Sequence, residues 1–159
     1  MNEMIHASVT LDQLADALRQ AGYRAQIGLA EKNRSVVHSA AQGLGFMVYP
    51  GNPAKEPGHC ADYTFSCLIH VEGKLAPELL EAWNRGKRFA RLFLDRNLLV
   101  LSMDVLVAGG VSQRLLVAQC ELWDRLLHDF IAHLKTARVA SGVKTSQPQA
   151  PERAESATA

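Results

Sequence analysis

The sequence has little of several features that would each point to a class of protein. Three cysteines in 159 residues are an odd, sparse number, which fits reduced thiols in the cytoplasm better than a disulfide framework. The 17 Lys and Arg nearly balance the 16 Asp and Glu, and this argues against a broad nucleic-acid surface or a polybasic membrane anchor. No run approaches the ~18 apolar residues of a membrane-spanning helix. The first ten residues lack a basic and an apolar region, so we expect no secretory signal.

What is present fits one ordinary folded domain. Hydrophobic residues make up 48% of the chain and charged residues 21%, which is normal for a globular protein. From residue 138 onward, polar residues, Pro and Ala follow one another without apolar periodicity, so little surface is available to offset the entropy of ordering. We therefore expect a flexible N-terminus over residues 1–9, one α+β domain over 10–137 and a disordered tail over 138–159.

Three helices are predicted where apolar residues recur every three or four positions. They cover residues 11–21, 77–86 and 113–135. Thr10 and Gln13 form a capping-box pattern before the first helix, and Pro77 suits the first turn of the second. The third helix has a wider apolar stripe than one sheet face usually needs, so we expect part of it to contact another subunit. The residues that widen the stripe are Leu115, Leu122 and Leu126.

Strands are predicted from alternating apolar residues and from β-branched or aromatic composition. They cover residues 23–29, 35–41, 44–49, 62–71, 89–95 and 98–107. Residues 35–49 could form one bent strand or two, and two are favoured because Gln42 and Gly43 interrupt the pattern. The resulting order, α-β-β-β-β-α-β-β-α, predicts an α+β fold in which an antiparallel sheet carries its helices on one side.

The residue types that carry chemistry do not converge. A metal site is worth testing because His59, Cys60, Cys67 and His70 lie within twelve residues. However, Cys67 and His70 are three apart on a predicted strand and so point to opposite faces, while Cys60 lies roughly 33 Å from His70 along an extended chain. Asp124 and His128 are one helical turn apart, but no motif supplies the nucleophile that a hydrolase would need. We therefore predict no catalytic residue, no metal and no cofactor, with a hydrolase at His128 as a third hypothesis.

The sharpest charge feature is the basic segment, residues 85–96, where cations interleave with aromatic side chains. Its cations are Arg85, Lys87, Arg88, Arg91 and Arg96. Such a pattern can bind nucleic acid or a small anionic ligand. Acidic residues lie close in sequence, however, so a solvated face is the favoured interpretation and small-ligand or nucleic-acid binding through residues 85–96 the alternative.

Residues 83–92, beginning Trp83-Asn84, together with residues 99–112 and Leu122-Trp123, resemble the YbjN family. Members of that family are described as bacterial sensory transduction regulators. The resemblance implies a curved antiparallel sheet packed on helices, similar to type III secretion chaperones and commonly dimeric, and it brings no catalytic residues.

Together these observations predict a non-enzymatic, cytoplasmic, chaperone-like regulator that binds a protein partner and forms a homodimer, in bacterial signalling or stress response. No membrane partner is expected. We interpret Trp83 as a core anchor and Asn84 as a brace for the turn into the hairpin; in the alternative, Trp83 and Arg88 line a binding groove. The candidate partner-binding residues are Trp83, Asn84, Arg85, Arg88, Arg91 and Trp123.

Overall fold

The structure is a computed structural model that describes residues 3–141 and 144–147. Its helices are α1 (Leu11–Gln20), α2 (Pro77–Gly86) and α3 (Gln113–Ser141), with one 3₁₀ turn at Glu31–Asn33. Its strands are β1 (Ile5–His6), β2 (Ala25–Leu29), β3 (Ser35–Ala41), β4 (Leu44–Pro50), β5 (Asp62–Glu72), β6 (Arg91–Asp95), β7 (Leu98–Leu106), β8 (Val111–Ser112) and β9 (Lys144–Ser146).

Strands β2 to β7 and β9 form one antiparallel sheet in the described residues, in the order β2-β3-β4-β5-β7-β6. The short β9 pairs with β5 on the edge that β4 leaves free, because β7 occupies the other edge at His70. The expected α+β fold and the order of its main elements are confirmed. Residues 35–50 form two strands, joined by Gln42 and Gly43 with φ of 56° and 75°, values that suit a tight hairpin.

The helices cover one face of the sheet, and aromatic side chains fill the layer between them. Trp123 of α3 stacks on Phe65 of β5 with ring centroids 5.3 Å apart and meets the edge of Phe46 at 5.8 Å. The capping box before α1 is present, since Thr10 accepts from the amide of Gln13 and Gln13 accepts from the amide of Thr10. This core fixes α2 and α3 against the sheet that carries the candidate site.

The ends of the chain differ from the expected flexible segments. Near the N-terminus, β1 pairs with β8, and Val9 exchanges backbone hydrogen bonds with Cys60 while its side chain is fully buried. Near the C-terminus, α3 continues to Ser141 and β9 pairs with β5. Both pairings join backbone groups far apart in sequence, which composition does not reveal. The rest of the predicted tail, residues 142–143 and 148–159, lies outside the described residues, as do residues 1–2.

The wide apolar stripe of α3 is largely accounted for within the chain. Leu126 is buried and Leu122 packs against the core, so only Leu115 of the three widening residues is exposed, at 40%. The stripe alone therefore does not require a second subunit, and the homodimer and the type III secretion chaperone-like character stay predictions. Among the helices of the described chain, none combines the length and apolar content needed to cross a bilayer.

Candidate protein-binding surface at the α2–β6 turn

The α2–β6 turn, residues 87–90, contains the most unusual backbone geometry near the predicted site. The amide of Ala90 donates to the carbonyl oxygen of Arg88 at 2.9 Å, which makes Phe89 the centre of a three-residue γ-turn. Phe89 has a φ of +75°, in the left-handed region that favours glycine. This form of γ-turn is rare and strained, and a bulky residue there costs roughly 1–3 kcal/mol.

Trp83 holds the C-terminal end of this turn, at Ala90, from within the core. Its side chain is fully buried, and its indole N–H donates to the carbonyl oxygen of Ala90 at 3.1 Å. The ring packs edge-on against Phe130 and His133 of α3, with centroids 5.8 and 5.5 Å away. The Trp83 carbonyl also accepts from the amide of Lys87, which closes α2. The prediction that Trp83 is a core anchor is confirmed.

Asn84 holds the backbone just beyond the turn, at Leu92, with both polar atoms of its side-chain amide. Its Nδ2 donates to the carbonyl oxygen of Leu92 at 2.8 Å, and its Oδ1 accepts from the amide of Leu92 at 2.9 Å. These two bonds occupy the outer edge of β6, the last strand of the sheet, where a neighbouring strand would otherwise bind. Asn84 therefore braces the start of the hairpin, as predicted.

Phe89 and Arg88 are presented outward by this bracing. Phe89 is 62% exposed, and the Arg88 guanidinium lies 5.0 Å from the centroid of its ring. No carboxylate among the described residues lies within ion-pair distance of Arg88. The turn thus offers an apolar ring beside an uncompensated cation.

The other cations of the basic segment are mostly paired within the chain. Arg85 pairs with Glu81 at 2.8 Å in α2, and Lys87 approaches Asp129 of α3 at 3.4 Å. Arg91 pairs with Asp104 at 3.0 Å. Because these carboxylates offset much of the local positive charge, the geometry does not favour a nucleic-acid platform, and that alternative gains no support.

The structure separates the six candidate partner-binding residues into two groups. The side chains of Trp83 and Trp123 are both fully buried, so neither indole lies on the surface of the chain, and their part in partner binding stays a prediction. Trp123 also packs with Phe46 and Phe65, away from the turn. Asn84 and the exposed guanidiniums of Arg85, Arg88 and Arg91 surround the α2–β6 turn, and their role in binding stays a prediction.

Phe89 is the residue that the sequence analysis left out of the candidate site. Nothing in its local sequence signals a positive φ, since the neighbouring Gly86 would be the expected position for one. The torsion is held by the bond from the Lys87 amide to the Trp83 carbonyl oxygen before Phe89, and by the side-chain hydrogen bonds of Trp83 and Asn84 to Ala90 and Leu92 after it. Only the position of Phe89 within the basic segment, directly after Arg88, could have pointed to it.

The residues considered for metal binding have other contacts. His59 is hydrogen-bonded to Ser8 at 2.9 Å and lies 3.1 Å from Glu56, while Cys60 and Cys67 are buried. Within residues 3–141 and 144–147, no group of three or more His, Cys, Asp or Glu side chains is arranged to hold a metal ion.

The Asp124 and His128 pair does not form a catalytic arrangement. Asp124 accepts from the side-chain amide of Gln42 at 3.0 Å, and hydrogen bonding to Asp124 contributes to a pKa of about 12 for Tyr23, after desolvation as the larger cause. His128 is exposed. A hydrolase would need a pocket around His128, and an exposed imidazole gives that hypothesis no support.

The thiols are held in their protonated form. Burial raises the pKa of Cys67 to about 12 and that of Cys120 to about 12, and it also raises the pKa of Cys60. All three are free and buried. Because the thiolate is the reactive form of cysteine, these side chains act as small core residues near neutral pH.

Comparison with protein families finds one match over residues 10–136, most of the chain, to YbjN, described as "Putative bacterial sensory transduction regulator". Neither the curated proteins nor the solved structures contain a match to the chain. The motif that the family resemblance rests on, Trp83-Asn84 followed by Arg88-Phe89, is the one that builds the α2–β6 turn. The chain belongs to the YbjN family.

Proposed function

We propose that this protein is a non-enzymatic, cytoplasmic regulator of bacterial signalling that binds a segment of a partner protein at the α2–β6 turn. The family description supports a regulatory role in coarse terms. Three free, buried cysteines suit a reducing compartment. The observation that carries the proposal is the strained and exposed Phe89.

Phe89 contributes little to the stability of the folded chain, although its backbone is strained. The residue is 62% exposed, so its burial contributes little apolar stabilisation. A glycine would adopt the same φ of +75° without a steric penalty. Strained residues that the surrounding structure holds in place cluster at functional sites. An exposed, fixed aromatic ring beside an arginine is also typical of the residues that dominate binding energy in protein interfaces.

The chemistry of the turn indicates what kind of segment it would bind. The Phe89 ring calls for an apolar side chain or pocket, and Arg88 calls for a carboxylate close by, since no carboxylate of the described chain pairs with it. The partner is therefore proposed to offer an apolar residue flanked by Asp or Glu.

The homodimer belongs to the same proposal. β6 ends the sheet, and its Phe93 and Leu94 are exposed, so the outer hairpin offers apolar surface to a second copy. Light scattering of the purified chain tests this part: a dimer mass supports it, and a monomer mass over the full range of working concentrations contradicts it.

Affinity capture with three versions of the full chain tests the binding surface. Wild type, Phe89→Ala and Ile27→Ala serve as baits in a lysate of the source organism; Ile27 is exposed on β2, at the opposite edge of the sheet. We expect a partner that wild type and Ile27→Ala retain and that Phe89→Ala loses by at least tenfold. Equal capture by all three baits would overturn the proposed surface.

A further inference from the structure

A slot opens in the sheet where β4 and β5 stop pairing. The two strands are in register from Met47–Ser66 to Pro50–Tyr63. Beyond that point the edge of β5 at residues 70–72 faces β9 instead. The slot is the space between the first residues of β4 and the second half of β5, and the chain's own residues 144–147 lie in it.

Gln147 closes the slot with its side-chain amide. Its Oε1 accepts from the amide of Gly45 at 2.7 Å, and its Nε2 donates to the Gly45 carbonyl oxygen at 2.9 Å. The same Nε2 reaches the carbonyl oxygen of Leu68 at 3.5 Å. One glutamine side chain thus joins the backbones of β4 and β5, much as a strand between them would.

The segment in the slot is held mainly through polar groups. β9 forms three residue pairs with β5, and Lys-Thr-Ser-Gln contains no large apolar side chain. A cavity of about 210 Å³ beside it is lined in part by Leu44, Ile69 and Leu134, so apolar surface next to the slot is left unfilled. In β-strand addition, main-chain hydrogen bonds to a sheet edge give affinity and pockets for alternate side chains give specificity, and the β5 edge and this cavity offer both.

We propose that this slot is a site for β-strand addition, where an extended segment of a partner protein displaces residues 144–147. The partner segment is of the same chemistry: small polar residues followed by a glutamine that bridges Gly45 and Leu68. The site lies apart from the α2–β6 turn, so it is a second protein-binding surface, independent of the function proposed above.

A labelled peptide tests the slot on the full-length protein. The probe is the peptide of residues 142–149, Gly-Val-Lys-Thr-Ser-Gln-Pro-Gln, measured by fluorescence anisotropy against wild type and Gln147→Ala. Removing the Gln147 amide weakens the resident segment, so we expect the peptide to bind Gln147→Ala at least tenfold more tightly than wild type. Gln26→Ala, an exposed glutamine of β2, is the matched control and should behave as wild type.

A second peptide, with alanine in place of the glutamine, checks the chemistry of recognition. It should bind Gln147→Ala at least tenfold more weakly than the first peptide. The proposal is overturned if neither protein binds the first peptide, if wild type and Gln147→Ala bind it equally, or if the two peptides bind alike. Circular dichroism of each protein variant checks that it has the same secondary structure as wild type before its binding is compared.

Discussion

At the scale of single residues, Phe89 is where local preference and tertiary contacts disagree most. Its φ of +75° is unfavourable for a bulky side chain, yet hydrogen bonds hold the backbone around it. The Trp83 carbonyl oxygen accepts from Lys87 before Phe89, and the side chains of Trp83 and Asn84 bond to Ala90 and Leu92 after it. The two family-motif residues therefore act as positioning residues for a third. The side chains of Trp83 and Asn84 make hydrogen bonds to the backbone. The exposed side chains of Arg88 and Phe89 are therefore the ones proposed to contact a partner.

The two tryptophans should differ when each is changed to phenylalanine. Trp83→Phe removes the N–H that satisfies the buried Ala90 carbonyl, whereas the N–H of Trp123 has no acceptor among the described residues. Trp123→Phe removes a buried N–H without an acceptor, and this stabilising effect offsets part of the free energy lost with the packing of the larger ring. We expect Trp83→Phe to lower the free energy of unfolding by about 1–3 kcal/mol more than Trp123→Phe. Urea unfolding of both variants measures the difference, and equal losses would contradict the assigned role of Trp83.

At the scale of elements, the outer strand β6 depends on a side chain from α2. Asn84 accepts from the Leu92 amide, and this bond takes the place of a neighbouring strand. In Asn84→Ala we expect the Leu92 amide to exchange with solvent hydrogen at least tenfold faster than in wild type. The Leu101 amide, in the buried β7, should keep its rate. An unchanged Leu92 rate would show that Asn84 does not protect this edge.

The main elements could be predicted because each carries a local signal. Alternation marked β4, β-branched composition marked β3, and a capping box marked α1. The short strands β1, β8 and β9 could not be predicted, since their backbone partners lie far away in sequence and their composition is polar or too short to show a period.

The candidate site was predictable only in part for the same reason. Trp83 and Asn84 stand out as rare or turn-forming residues beside a helix end, so their supporting roles could be assigned. The positive φ of Phe89 depends on hydrogen bonds to those two side chains, and the pairing of Arg91 with Asp104 depends on strand register. Neither is encoded in a short stretch of sequence.

At the scale of the whole molecule, buried thiols make stability depend on alkaline pH. Burial raises the pKa of Cys67 to about 12 from an ordinary value of 9.0, and the pKa of Cys120 likewise. The folded chain keeps protons that the unfolded chain loses above pH 9, so stability falls as pH rises from about 9 toward 12. We expect each thiol to lower the free energy of unfolding by about 1.4 kcal/mol per pH unit in that window.

Urea unfolding at pH 8, 9 and 10 measures this slope. Cys120→Ala is the matched control, because it keeps Cys67. In this variant the free energy of unfolding should fall less steeply with pH than in wild type, by the contribution of one thiol. Burial also raises the pKa of Tyr63, which adds to the decline above pH 10 in both proteins. A free energy of unfolding that stays constant from pH 8 to 10 would contradict the protonated, buried state of these thiols.

The central claim is that the α2–β6 turn keeps a strained Phe89 for binding, and Phe89→Gly tests it most directly. Glycine tolerates the φ of +75°, so relief of strain, less the entropic cost of glycine, should raise the free energy of unfolding by about 1 kcal/mol and the Tm by about 2–4 °C. The same variant should lose capture of the partner that wild type retains. A Phe89→Gly protein that is more stable and does not bind is the predicted result. One that is less stable than wild type, or that captures the partner equally well, would contradict the account.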